Sequence, residues 1–248
     1  MTDRVCLVTG ASRGIGAASA RELAGRGHRV VVNHRDSAAE ADAVAQDVRA
    51  AGGHALVAQG DVTDPGEVTR LVDTVAAQWG RLDVMVHNAM TPFPVTSFAE
   101  LTWEQLGSKL DQEMRAAYLL THAVVPGMIE RRYGRLVYLS TGLARRPRAG
   151  MIALGVAKAA LDSFVRYVAD EVAPHGVTAN VVAPSTVEDT AVSGRLSDEL
   201  KEQLAAATPM RRLARPEDVA RTVAYFAGDD GGFTTGSWAP VNGGLIMP

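Results

Sequence analysis

Thr9-Gly10-Ala11-Ser12-Arg13-Gly14-Ile15-Gly16 follows the apolar run Val5-Cys6-Leu7-Val8 and opens a stretch with helical periodicity. Glycines at these places let the backbone turn sharply and approach a ligand, and a helix N-terminus offers unpaired N–H groups to an anion. The spacing is Gly-x3-Gly-x-Gly rather than the commoner Gly-x-Gly-x-x-Gly fingerprint. Its position at a first strand–helix junction points to nucleotide phosphates rather than to a mere tight turn. Gly10, Ser12, Arg13, Gly14, Ile15 and Gly16 are therefore expected to hold a dinucleotide.

The rest of the chain repeats the pattern. Strand-like runs fall at Val5–Thr9, Arg29–Asn33, Ala55–Gln59, Val84–His87, Leu136–Ser140, Thr178–Ala183 and Trp238–Val241. Helical periodicity fills Ile15–Arg26, Ala38–Ala51, Pro65–Trp79, Thr102–Ile129, Met151–Val172 and Pro216–Ala227. Continuous apolar strands separated by helices imply a parallel sheet covered on both faces. The expectation is α/β, one doubly wound domain over residues 1–248, with a seven-stranded parallel sheet.

Composition narrows the function classes. The 248 residues are 47% hydrophobic and 21% charged, with a net charge of −3, which suits a globular chain and disfavours nucleic acid as a partner. No apolar run approaches the roughly 18–20 residues of a membrane helix. No basic-then-apolar leader precedes the first strand. Cys6 is the single cysteine, so no intrachain disulfide or metal cluster is expected and a cytoplasmic location is favoured. Only Lys109, Lys158 and Lys201 are lysines, which makes each worth inspection.

The second strand ends Val32-Asn33-His34-Arg35, with no carboxylate before Asp36. A carboxylate there would accept from the ribose hydroxyls of NAD, whereas guanidiniums grip a 2′-phosphate in a bidentate fork. Arg13 and Arg35, with Asn33 and His34 beside them, predict NADP(H) as the cofactor.

With these residues in place, the chain resembles the short-chain dehydrogenase/reductase family, particularly its 3-oxoacyl-carrier-protein and enoyl-reductase-like branches. The likeness runs through Thr9–Gly16, Gly60-Asp61-Val62, His87-Asn88-Ala89, Gly134–Thr141, Lys158-Ala159-Ala160-Leu161, Asn180–Pro184 and Asn242-Gly243-Gly244. It implies a Rossmann-type fold in which Asp61 and Val62 hold the adenine, Asn88 and Ala89 line the nicotinamide-side cleft, and Pro184 and Lys158 also meet the cofactor. It further implies a small or carrier-bound substrate and a homodimer or homotetramer.

The catalytic positions depart from the family pattern of Asn, Ser, Tyr and Lys. Lys158 is present, but Leu154 stands four residues earlier and Met151 seven earlier, so neither register supplies tyrosine. The serine position falls on Thr141, after Ser140, and the asparagine position on Glu113. Glu113 shares a helical stripe with Leu106, Leu110 and Ala117, and Lys158 shares one with Leu154, Leu161 and Val165. Both are expected to face inward and to pair, because each charge is costly to bury alone. Lys158, Glu113 and Thr141 are the candidate catalytic residues, with the glutamate's pKa raised by burial or the lysine's lowered by the cofactor. The alternatives are a non-redox proton-transfer enzyme and a catalytically silent nucleotide-binding subunit.

Four further expectations can be checked. His87 is a packing residue; Tyr138 points away from Thr141; Tyr118 belongs to the core; and Glu188-Asp189 makes the segment after Pro184 acidic. Arg145, Arg146 and Arg148 are placed where they could meet an anionic part of the substrate.

Overall fold

The structure is a computed structural model that describes Asp3–Met247. Its strands are β1 (Val5–Val8), β2 (Arg29–His34), β3 (His54–Gln59), β4 (Val84–His87), β5 (Gly134–Leu139), β6 (Val177–Pro184) and β7 (Trp238–Val241). Between them lie α1 (Gly14–Gly25), α2 (Ala38–Ala50), α3 (Pro65–Trp79), α4 (Trp103–Glu130), α5 (Ile152–Val172), α6 (Asp198–Ala207) and α7 (Pro216–Ala227). All strand pairs are parallel, in the order β3-β2-β1-β4-β5-β6-β7.

Alternation along each strand sends side chains into two cores. Leu7, Met85, Leu136 and Tyr138 pack with α3, α4 and α5, through residues such as Leu71, Leu120 and Leu161. Cys6, Val8, Val84, Val86 and Val137 face the other way, against α1, α2 and α7 through Leu23, Val44 and Val223. Each fully buried Val, Leu or Met adds roughly 1.5–3 kcal/mol over its exposed state. The expected single Rossmann-type domain with a seven-stranded parallel sheet is the observed one.

Helix boundaries follow local chemistry. Pro65 opens α3 behind Asp64, whose side chain accepts from the Glu67 N–H, and Thr102 with Gln105 forms a reciprocal capping box at α4. One helix escaped the periodicity. No residue of α6 is buried, but Leu200, Leu204 and Ala207 recur on one face of it behind the Ser197 cap, a signal the helix reading above does not include.

The strand order reverses between β1 and β4, and the loops leaving their C-terminal ends diverge there. Thr9 and Asn88 bind the two strands at this point. The Thr9 hydroxyl donates to Val86 O (3.3 Å) and accepts from the Asn88 and Ala89 N–H groups (3.0 Å each). Asn88 Nδ2 donates to Thr9 O (2.9 Å) and Gly10 O (3.0 Å). Open α/β sheets place their ligand crevice at such a switch point.

Candidate active site

A cavity of about 650 Å³ opens over the C-terminal ends of the strands, within the size range of small-molecule sites. Gly10, Ser12, Arg13, Gly14 and Ile15 line one end, with Asn33, His34, Arg35, Asp61 and Val62 beside them. Asn88, Ala89, Thr141, Lys158 and Pro184 line the other part. Gly16 does not line it, and its role is close packing. A Cβ there would stand 2.4 Å from Gly10 O and 2.5 Å from Asn88 Nδ2.

The glycine turn has the shape a phosphate needs. Gly10 and Gly14 adopt φ of +59° and +54°, the left-handed region that a side chain disfavours. The Asn33 amide braces the turn: its oxygen accepts from the Gly10 N–H (3.4 Å), while Nδ2 donates to Ala58 O (3.2 Å) and Gly60 O (3.1 Å). Asn33 and Asn88 therefore shape the cleft with amides already engaged to backbone. These features fit a dinucleotide: a turn with glycines at its two left-handed positions, the N-terminus of α1, and a basic group beyond β2.

At the β2 end, Arg35 Nε donates to Asp36 (2.6 Å) and its guanidinium lies 3.8 Å from Asp61. Exposed pairs of this kind contribute only about 0–1 kcal/mol, so an incoming phosphate can displace them. Asp61 accepts from Thr63 N (2.8 Å) and Oγ1 (2.7 Å); burial pushes its carboxyl up, but these bonds and Arg35 bring it below the usual value. His34 is 5% exposed, and its Nδ1 is buried without a partner at the cleft wall.

At the other end, Glu113 and Lys158 meet as anticipated, with Lys158 Nζ donating to Glu113 Oε1 (2.7 Å) and to Leu139 O (2.6 Å). A second lysine is also bound. Lys109 Nζ donates to Glu113 Oε2 (2.6 Å), Thr91 Oγ1 (2.9 Å) and Thr91 O (3.1 Å). The i,i+4 spacing of Lys109 and Glu113 was the available signal for this contact, and it went unread. Burial alone would raise Glu113, but Lys158, His87 and Lys109 outweigh it and hold the carboxyl well below its ordinary value. This corrects the expected rise. Burial also lowers Lys109 and His87; His87 has no hydrogen-bond partner and sits 3.8 Å from Glu113.

Neither Glu113 nor Lys109 lines the cleft, whereas Lys158 and Thr141 do. Thr141 Oγ1 accepts from Leu143 N (3.3 Å), capping the short 3₁₀ turn Gly142–Ala144. Leu154 and Met151 also line the cleft, and none of the five tyrosines does. Tyr138 is buried on the opposite side, its hydroxyl 2.6 Å from that of Thr121, as alternation implied. Tyr118 is not core. It is 54% exposed and stacks on His122, because five residues past Glu113 rotates it to the outer face of α4.

The loop after β6 closes one side. Thr190 lines the cleft, whereas Glu188 and Asp189, the acids of this loop, do not. Glu188 lies 3.9 Å from Arg215 instead. Of the three loop arginines, Arg146 and Arg148 line the cleft, whereas Arg145 stacks on the Trp238 ring at 3.9 Å.

Comparison with known proteins agrees with this geometry. The family model described as enoyl-(acyl carrier protein) reductase matches residues 10–246. The chain is 34% identical to a 3-oxoacyl-(acyl-carrier-protein) reductase of Staphylococcus aureus over 97% of both chains. It is 35% identical to the Synechocystis enzyme of that name over 100% of this chain and 98% of the relative. An acetoacetyl-CoA reductase of Allochromatium vinosum is 34% identical over 98% and 99% respectively. A parallel seven-stranded sheet, a glycine-shaped cleft at its switch point and full-length likeness to these reductases place the chain in the short-chain dehydrogenase/reductase family.

Proposed function

We propose that the protein is an NADP(H)-dependent oxidoreductase that reduces a carbonyl or conjugated double bond of a small or carrier-bound substrate through an atypical site. One observation carries the reading: the cleft keeps a complete glycine-shaped cradle and a basic β2 end, yet no tyrosine lines it. A dinucleotide bound there supplies a hydride to substrate carbon. Gly10 to Ile15 would hold its phosphates, Asp61 and Val62 its adenine, and Arg13, His34 and Arg35 a 2′-phosphate. Asn88, Ala89, Pro184 and Lys158 would flank the nicotinamide side.

The chain's own residues must then provide for the substrate oxygen. Thr141 can donate a hydrogen bond to it but is too weak an acid to supply a net proton near neutrality. Lys158, bonded to Glu113, is the proton donor at the cleft surface. A proton given by Lys158 is taken back from water entering the cleft, while the Glu113 carboxylate, bonded also to Lys109, orients the lysine. The missing phenol also favours a second reading, non-redox proton transfer in the same cleft, such as cyclisation, dehydration or isomerisation.

The test has two arms. NADPH is expected to bind about tenfold or more tighter than NADH by calorimetry, a difference of about 1.4 kcal/mol from one charge-assisted phosphate contact. Equal affinities reject the cofactor assignment. A panel of 3-oxoacyl thioesters and enones is expected to consume NADPH absorbance; turnover of such substrates with no loss of NADPH selects the non-redox reading. A homodimer or homotetramer in the cytoplasm accompanies this proposal, supported by the reductase relatives and by a single, buried, free Cys6. Among the described residues no helix is long and apolar enough to cross a membrane.

A further inference from the structure

Lys109 does more than accompany Glu113. Its three donated bonds join the Glu113 carboxylate to both oxygens of Thr91, a residue that lines the cleft beside Phe93. Lys109 itself is 1% exposed and does not reach the cavity. Because Thr91 Oγ1 accepts from an ammonium, its own O–H points elsewhere and is polarised as a donor.

Two other donors share that cavity. Thr141 Oγ1 accepts from a backbone N–H, which leaves its O–H to donate. Lys158 gives two bonds to protein acceptors and retains a third N–H.

Charge points the same way. Among the described residues, Glu113 is the one carboxylate ion-paired with Lys109 or Lys158. His87, the other titratable group against Glu113, is driven by burial toward its neutral form. Asp162, one turn beyond Lys158 on α5, lies beside Ser140, and burial pushes its carboxyl toward protonation. Two lysines on one carboxylate, with hydroxyl and ammonium donors lining the cavity beside them, suit an anionic oxygen.

We propose that Thr91, backed by Lys109, forms with Thr141 and Lys158 an oxyanion-binding site for the enolate of a 1,3-dicarbonyl substrate. The proposal rests on the reading above that this part of the cleft receives substrate, but not on hydride transfer. On binding, the dicarbonyl releases the proton from the carbon between its carbonyl groups to water. The resulting enolate oxygen accepts hydrogen bonds from the three side chains, and no oxidant or reductant is required.

The probe is acetylacetone, titrated with the full chain in the presence and absence of NADP(H) while the ultraviolet band of its enolate is followed against pH. The bound probe is expected to ionise about one pH unit or more below the free compound, a tenfold shift, with release of a proton to buffer. Thr91→Val and Lys109→Met should each abolish the shift and Thr91→Ser should retain it. Thr91→Val is nearly isosteric and removes only a hydroxyl, so it stands as the test if Lys109→Met fails to fold. A wild-type titration equal to that of free acetylacetone, or a shift that survives Thr91→Val, overturns the proposal. A protein that shifts the enolate yet consumes no NADPH with any dicarbonyl refutes the reductase reading and leaves this one standing.

Discussion

Glu113 is bonded to two ammoniums, and this governs what its neutralisation does. Glu113→Gln would leave Lys109 and Lys158 facing one another without a counter-charge, and breaking a buried pair in this way costs about 3–5 kcal/mol. Denaturant titration should show that loss, and the double variant Glu113→Gln with Lys109→Met should recover a substantial part of it. A double variant no more stable than Glu113→Gln would show that Lys109 does not depend on Glu113. If the carboxylate also belongs to the proton path, folded Glu113→Gln should lose about two orders of magnitude in turnover; a change of only a few-fold assigns it a structural role alone. The pH dependence follows from the lowered pKa. A carboxyl depressed in the folded state stabilises fully above its unfolded value of about 4.3 and loses that contribution as pH falls below it. The stability gap between wild type and Glu113→Gln should therefore narrow on acidification below about pH 4. Leu154 permits a second test at this scale. It is 6% exposed and lines the cleft in line with Lys158 on α5, so Leu154→Tyr can project a phenol into the cavity. Ketone reduction should rise about tenfold or more if proton donation limits turnover. No rise with unchanged NADPH affinity indicates a site rebuilt for other chemistry.

At the scale of elements, the β1–α1 turn works because backbone occupies the space that side chains would fill. Gly16→Ala would drive a methyl into Gly10 O and against the Asn88 amide that ties β1 to β4. Overpacking of this kind costs roughly 1–3 kcal/mol, and the displaced turn should weaken NADPH binding as well. A variant with wild-type thermal stability and affinity would show that the turn relaxes freely. The turn was legible because glycine spacing, strand and helix are local properties. Which residues of the loop after β6 reach the cleft was not legible, for the opposite reason. Sequence places Glu188, Asp189 and Thr190 together, but Thr190 is turned inward, its hydroxyl donating to Val187 O (3.1 Å) and accepting from the Ser193 N–H (3.2 Å). Asp189 takes φ of 53° and neither acid reaches the cleft.

For the whole molecule, the cleft gathers residues that follow all seven parallel strands, so a ligand that fills it should stabilise the entire domain. NADPH at a hundredfold its dissociation constant should add about 2.7 kcal/mol, and NADH bound tenfold more weakly about 1.4 kcal/mol at the same concentration. Thermal scans with the two nucleotides check this, and equal shifts would count against a 2′-phosphate site. The strand runs, the doubly wound order and the inward-facing charges at 113 and 158 followed from the sequence by itself, because hydrophobic period reports which face of an element is buried. It does not report what that face meets. Tyr118 was misplaced by grouping it with a core to which its rotation on α4 does not belong. The Lys109–Thr91 bond joins residues 18 apart, and Lys158–Glu113 joins residues 45 apart. Their distances, the second ammonium on one carboxylate and the lowered pKa that results exist only once α4, α5 and the loop after β4 are packed together.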